Sequence, residues 1–218
     1  MTTQELVDYF SILQDKYGSP NLIEDEIVDM LNHAQSEYLN RLFPDTQGGI
    51  ANAETDSNTL ALVQPLVYTI VENMDSNGLI SATALNAALT TEVGAASTYF
   101  RVLSSMLNTG TKTRPVKFVK QNNVWAITNN VFKAPTIDRP RFTLVANGIQ
   151  FYPTDATKDI TVTVVKNPTV LSLSPDVDPD FGDYSLYTIL MIALQLAGVS
   201  VRDQELIGTI QNISTQAK

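Results

Sequence analysis

Asp29, His33 and Glu37 stand four residues apart, and a helix would bring all three to one face. Two carboxylates and an imidazole at that spacing could hold a divalent ion if a further ligand came from elsewhere. The apolar stripe of the same segment runs through Ile27, Leu31, Ala34 and Tyr38, so the trio lies off the face expected to be buried. His33 is the one His of the chain, and metal sites normally recruit more than one. A solvated helix face is therefore the expected role. Asp176-Val-Asp178-Pro-Asp180 has the opening of a calcium loop. Its sixth and twelfth positions, where such a loop needs Gly and a bidentate Glu, hold Phe181 and Tyr187. These aspartates are expected to form a turn-rich linker and cap the helix that follows. Asp180-Phe181-Gly182 spells a kinase tripeptide without a Gly-rich loop or His-Arg-Asp loop to accompany it. The sequence has no G-x-S-x-G elbow and no phosphate-binding Gly loop. It also has no Cys. The expectation is a chain that is not an enzyme, with no catalytic, cofactor-binding or metal-ligating residue and no cofactor.

Composition sets further bounds. The 218 residues, 44% hydrophobic and 17% charged, suffice for a folded chain with a sizeable core. A net charge of −9 argues against a surface that wraps nucleic acid, which needs clustered Lys and Arg. The absence of Cys excludes a disulfide framework. The N-terminal MTTQELVDYF lacks the basic and apolar regions of a signal peptide. The most apolar run, Tyr184–Val201, falls short of the roughly 20 residues of a membrane span. A soluble protein made in a cytoplasm is expected.

Helices are the first elements to read. Thr2 and Glu5 have capping-box spacing, and Leu6, Tyr9, Phe10, Leu13 and Tyr17 recur at helical intervals up to Gly18. Ser19–Pro20 or Asn21 then starts a second helix, whose stripe runs from Ile23 to Leu42 before Pro44 ends it. Residues 45–58 read as a polar, mobile or partner-ordered loop. Pro65 weakens any helix through Leu60–Val67, Asp75–Gly78 is a turn, and Thr83–Leu89 is helical. Tyr99–Leu107 fits strand or helix equally.

Val116–Lys120 and Val124–Thr128 read as strands around a turn at Gln121–Asn123, which puts Trp125 and Ile127 on a strand. From Asn129 to Pro168 the chain reads as a Pro-punctuated strand meander. Phe142, Leu144 and Ala146 lead to Asn147–Gly148, the dipeptide that suits a type I′ turn, and Ile149 and Phe151 return. Ile160, Val162 and Val164 alternate with threonines. The hairpin from Phe142 to Pro153 is expected to contact a neighbouring subunit, since short sheets must cover their edges. A linker at Leu173–Gly182 precedes helices at Asp183–Ala197 and Val201–Ser214, and the tail beyond is expected to be mobile.

The predicted fold class is α+β: a helical body, made of an N-terminal helix pair plus C-terminal helices, with one small inserted antiparallel β-module. In domain terms, 1–110 is mainly helical body with its polar loop at 45–58. Residues 114–168 are the β-module, and 169–218 are a linker and helix pair that pack back on the body.

In order and texture the chain resembles the head-to-tail connector (adaptor or ring) proteins of tailed bacteriophages, of the crAss-like type. The similarity rests on HAQSEYLNRLF (33–43), NTLALVQPLVYT (58–69), WAITNNVFKAPTIDRPRF (125–142), IQFYP (149–153), TVTVVKNPTVL (161–171) and LAGVSVRDQEL (196–206). It implies a non-enzymatic virion protein, assembled in the host bacterial cytoplasm, that forms a twelvefold homo-oligomeric ring between portal and tail. Its partners would be portal and tail or ring proteins. DNA would pass through without specific binding, and no membrane would be involved. A decoration or baseplate protein, a small cytoplasmic protein-binding module, and a metal enzyme built on Asp29, His33 and Glu37 are the alternatives.

Overall fold

The computed structural model describes residues 1–16, 22–43, 57–154 and 158–198. The chain forms two compact units, one of residues 1–46 with 168–218 and one of residues 47–167.

The first unit is helical. Helix α1 (Thr3–Lys16) begins at the expected capping box: the Thr2 amide donates to Glu5 Oε2 at 2.8 Å, and the Glu5 amide donates to Thr2 Oγ1 at 3.2 Å. Helix α2 (Glu24–Leu42) starts after Ile23, whose amide donates to Glu26 Oε2. Starts at Ser19–Pro20 or Asn21, and the Gly18 stop, fall outside the described residues. Helix α6 (Asp183–Leu196) packs against α1 and α2; helices α3–α5 belong to the second unit. Leu6 and Phe10 from α1, Ile27 and Leu31 from α2, and Ile189 and Leu190 from α6 are buried. The Tyr38 ring meets Phe181 edge-on, with centroids 5.6 Å apart. The Tyr38 hydroxyl donates to Ser185 Oγ at 3.1 Å. Burial raises the Tyr38 pKa above the usual tyrosine value; the Ser185 hydrogen bond opposes this, and Tyr184 adds to it.

Polar side chains hold the chain that leads into α6. Asn32 on α2 donates to the Leu171 carbonyl at 3.1 Å and accepts from the Leu171 amide at 2.8 Å, as a neighbouring strand would. A short ladder follows, β9 (Ser172–Leu173) with β10 (Asp176–Val177). The predicted final helix at Val201–Ser214, and the tail after it, lie outside the described residues, as do 45–56 of the predicted loop.

The second unit corrects the predicted fold class. Among the described residues β-structure begins at Val67, far upstream of 114, and forms three sheets, so the chain is mixed α and β rather than a helical body carrying one small module. Helix α3 (Ser57–Val63) occupies what read as the end of the polar loop, and a 3₁₀ turn at Gln64–Leu66 accommodates Pro65. One four-stranded antiparallel sheet has the order β1 (Val67–Asn73), β8 (Asp159–Lys166), β3 (Tyr99–Asn108), β4 (Thr113–Pro115). A second has the order β2 (Leu79–Ser81), β7 (Gly148–Tyr152), β6 (Arg141–Val145), β5 (Lys117–Phe118), with β5 and β6 parallel. Helix α4 (Ala82–Val93) is capped by Ser81, whose Oγ accepts from the Ala84 amide. Ile70, Ile80, Leu85, Leu89, Phe142 and Val162 belong to one shared core.

The turn at Asp75–Gly78 forms as expected. Asp75 Oδ1 accepts from the Asn77 and Leu79 amides, both at 2.8 Å, and Gly78 has φ +79°. It carries the chain from one sheet to the other. The hairpin at Asn147–Gly148 is present with a different register. Val145 pairs with Gly148, so Ala146–Asn147 is the loop and the type I′ assignment fails. Gly148 is needed for another reason. A Cβ on it would lie 2.1 Å from the Ile80 carbonyl oxygen, and its φ is +146°. Nor is this hairpin a free edge: β2 flanks one strand, β5 pairs with the start of the other, and Phe142, Ile149 and Phe151 are buried.

Candidate functional site

Asp29 and His33 are exposed on α2, and Glu37 binds its neighbour Arg41 at 2.9 Å. An i, i+4 pair on a solvated face accounts for this geometry. Among the described residues, no three His, Cys, Asp or Glu side chains converge as metal ligands would. Asp178 and Asp180, which precede α6, tie chain segments together and neither is its N-cap. Asp183 stands in the first turn of the helix, where a carboxylate complements the dipole. Asp178 Oδ1 accepts from the Thr3 amide at 3.1 Å. Asp180 Oδ2 accepts from both the amide and the hydroxyl of Thr169 at 2.7 Å. Asp183 pairs with the N-terminal ammonium at 3.1 Å. The N-cap itself is Gly182.

The distinctive surface lies elsewhere. Gln121–Thr128, read as turn plus strand, is helix α5, and none of its residues is buried. Trp125 is therefore not a strand residue. From Lys117 to Arg139 no residue is fully buried, although Phe118 is half-buried against Phe142. Within that excursion Trp125 is 76% exposed, Val131 90% and Phe132 91%. The backbone around them is nevertheless organised. The Asn129 amide donates to the Trp125 carbonyl, Asn130 Oδ1 accepts from the Phe132 amide at 3.0 Å, and Thr136 forms a bridge with Arg139. Exposed apolar groups on an ordered backbone differ from a floppy tail, because a partner covering them would have little backbone left to order.

The same stretch is basic. Residues 112–141 hold seven Lys and Arg, half of the chain's 14, against the single acid Asp138. Where the excursion leaves and rejoins the sheets, Arg114, Lys117, Arg139 and Arg141 line a cavity of about 340 Å3 with Pro115, Asp138 and Pro140. β4 and β5 position the first two, with Val116 buried between them, and the run into β6 positions the others. Arg114 pairs with Asp138 at 2.9 Å, a solvent-facing ion pair of little energetic weight. The buried Nε of Arg141 has no hydrogen-bond partner among the described residues. Three arginines and a lysine lining a cavity with one carboxylate make a place for an anionic group, which a guanidinium can grip through two hydrogen bonds.

The net charge of the whole chain conceals this surface. A chain at −9 contains a segment at +6, and an average conceals it. The signal was present in the sequence as a run of cations nearly free of acids. No protein-family model matches the chain, and no curated protein matches it in sequence.

Proposed function

We propose that this chain is a non-enzymatic structural subunit that assembles with copies of itself into the head-to-tail connector ring of a tailed bacteriophage, between portal and tail. One observation carries the assembly part of that reading: the ordered excursion of residues 117–139, which spends Trp125, Val131 and Phe132 on solvent. Large apolar side chains contribute on the order of 1.5–3 kcal/mol each when covered, so an ordered segment that exposes three of them is suited to a protein partner. The phage assignment rests on the sequence resemblance. The position of His33 on a solvated face and the pairing of Glu37 with Arg41 favour a structural chain over an enzyme built on that trio.

Electron microscopy of the purified chain, alone and mixed with a candidate portal protein from the same source, tests the proposal. Closed rings of uniform copy number, in either sample, are the expected result. A protein that stays monomeric in both, and is absent from purified virions, would overturn it. Decoration of a capsid or tail without ring formation would favour the neighbouring reading of a different virion part.

A further inference from the structure

The charge of this chain is divided between its units. Residues 1–46 and 168–218 carry 15 Asp and Glu against four Lys and Arg, a net of −11. Residues 47–167 carry ten Lys and Arg against eight Asp and Glu, a net of +2, and seven of those ten cations fall in 112–141. The acidic unit also has apolar groups without cover. Ile12 is 62% exposed on α1, in line with Glu5, Asp8 and Asp15 at helical spacing. Ile23 is 64% exposed just before the exposed Glu24, Asp25 and Asp29 of α2. The excursion is thus cationic with exposed aromatic and aliphatic side chains, and the solvent faces of α1 and α2 are anionic with exposed aliphatic side chains.

We infer that the 117–139 excursion of one copy docks on the acidic α1–α2 surface of a second copy, head to tail. This specifies the self-assembly proposed above and rests on it. Two different patches that complement each other form a heterologous contact, which repeats from copy to copy and closes when the rotation allows. Complementary charge sets the orientation and speeds encounter, while Trp125, Val131 and Phe132 supply the apolar area. Duplex DNA is a weaker fit for the excursion, because a phosphate backbone offers nothing apolar to cover Val131 and Phe132.

A charge swap tests the inference on the full chain. One variant carries Lys117→Glu, Lys133→Glu and Arg139→Glu; the other carries Asp8→Lys, Asp15→Lys and Asp29→Lys. All six positions are exposed, and unchanged circular dichroism and melting would show that both variants fold. Sedimentation should show self-association of each variant alone weakened at least about tenfold, and of the wild type weakened by added salt. An equal mixture of the two variants should associate again, since the swapped positions of each excursion then meet swapped or native positions of opposite sign. Failure of the mixture to recover, association indifferent to both sets of changes, or a wild type that remains monomeric at high concentration and low salt would each overturn the inference. So would DNA binding that depends on the three cations while self-association does not. Charge-swapped recovery into open chains, with no ring in virions, would uphold this contact and reject the connector assignment. Rings that ignore the swap would do the reverse.

Discussion

Gly148 and Tyr38 show how much a single position can decide. At Gly148, any side chain would run into the Ile80 carbonyl at the point where β2 joins β7. Gly148→Ala should destabilise the second unit by at least roughly 1–3 kcal/mol from backbone strain alone, read as a lower urea midpoint. Tyr38 gives a pH prediction with a definite sign. Its folded pKa is raised by burial, so the folded state holds the proton to higher pH than the unfolded chain does. Its contribution is fully present below the unfolded value of about 10 and is lost as pH rises through the folded pKa. Tyr99, raised by burial alone, acts in the same direction. Stability measured by denaturant titration should therefore decline above about pH 10. Tyr38→Phe, despite losing about 1 kcal/mol with the Ser185 hydrogen bond, should decline less steeply there.

Elements were legible where their signals were local. Helices α1 and α2 announce themselves through the Thr2–Glu5 spacing and stripes such as Ile27, Leu31 and Ala34, signals that lie within each helix or at its start. Strand β8 could be read because Ile160, Val162 and Val164 face one core while threonines face away. Strands β1 and β3 could not, since their pairing partner, β8, lies about 60 to 90 residues further along and leaves no mark in their own sequence. Helix α5 misled for the opposite reason. Eight residues with no buried stripe offer no period to count, and Gln121–Asn123 suits a turn as well as a helix start. Its exposure makes a prediction. Trp125→Ala with Phe132→Ser should change the melting midpoint little, because surface substitutions usually stay within about 0.5 kcal/mol. The same pair of changes should abolish or sharply weaken self-association in sedimentation. A large loss of stability with association intact would show that these side chains serve the fold instead.

At the scale of the whole molecule, the helix and strand patterning led to an expected division into helical ends and a middle β-module, whereas the chain changes unit near residues 46 and 167. The difference has a physical cause. Ile70, Leu85 and Val102 share a core with Phe142 and Val162, so the β-unit needs chain from well before 114 to close that core. Residues 47–167 expressed alone should therefore unfold in one cooperative transition by calorimetry, whereas 114–168 alone should show none. Net charge was the least reliable guide at this scale, because −9 is the sum of two units that differ in sign. The solvent-facing indole of Trp125 has a practical consequence, since it is the one tryptophan in the chain. Ultraviolet emission from this protein comes, in effect, from its excursion. The free chain should fluoresce at the long wavelengths of a hydrated indole and be readily quenched by iodide. Any partner that covers the excursion should shift that light to the blue, so the unlabelled chain carries its own optical gauge of occupancy.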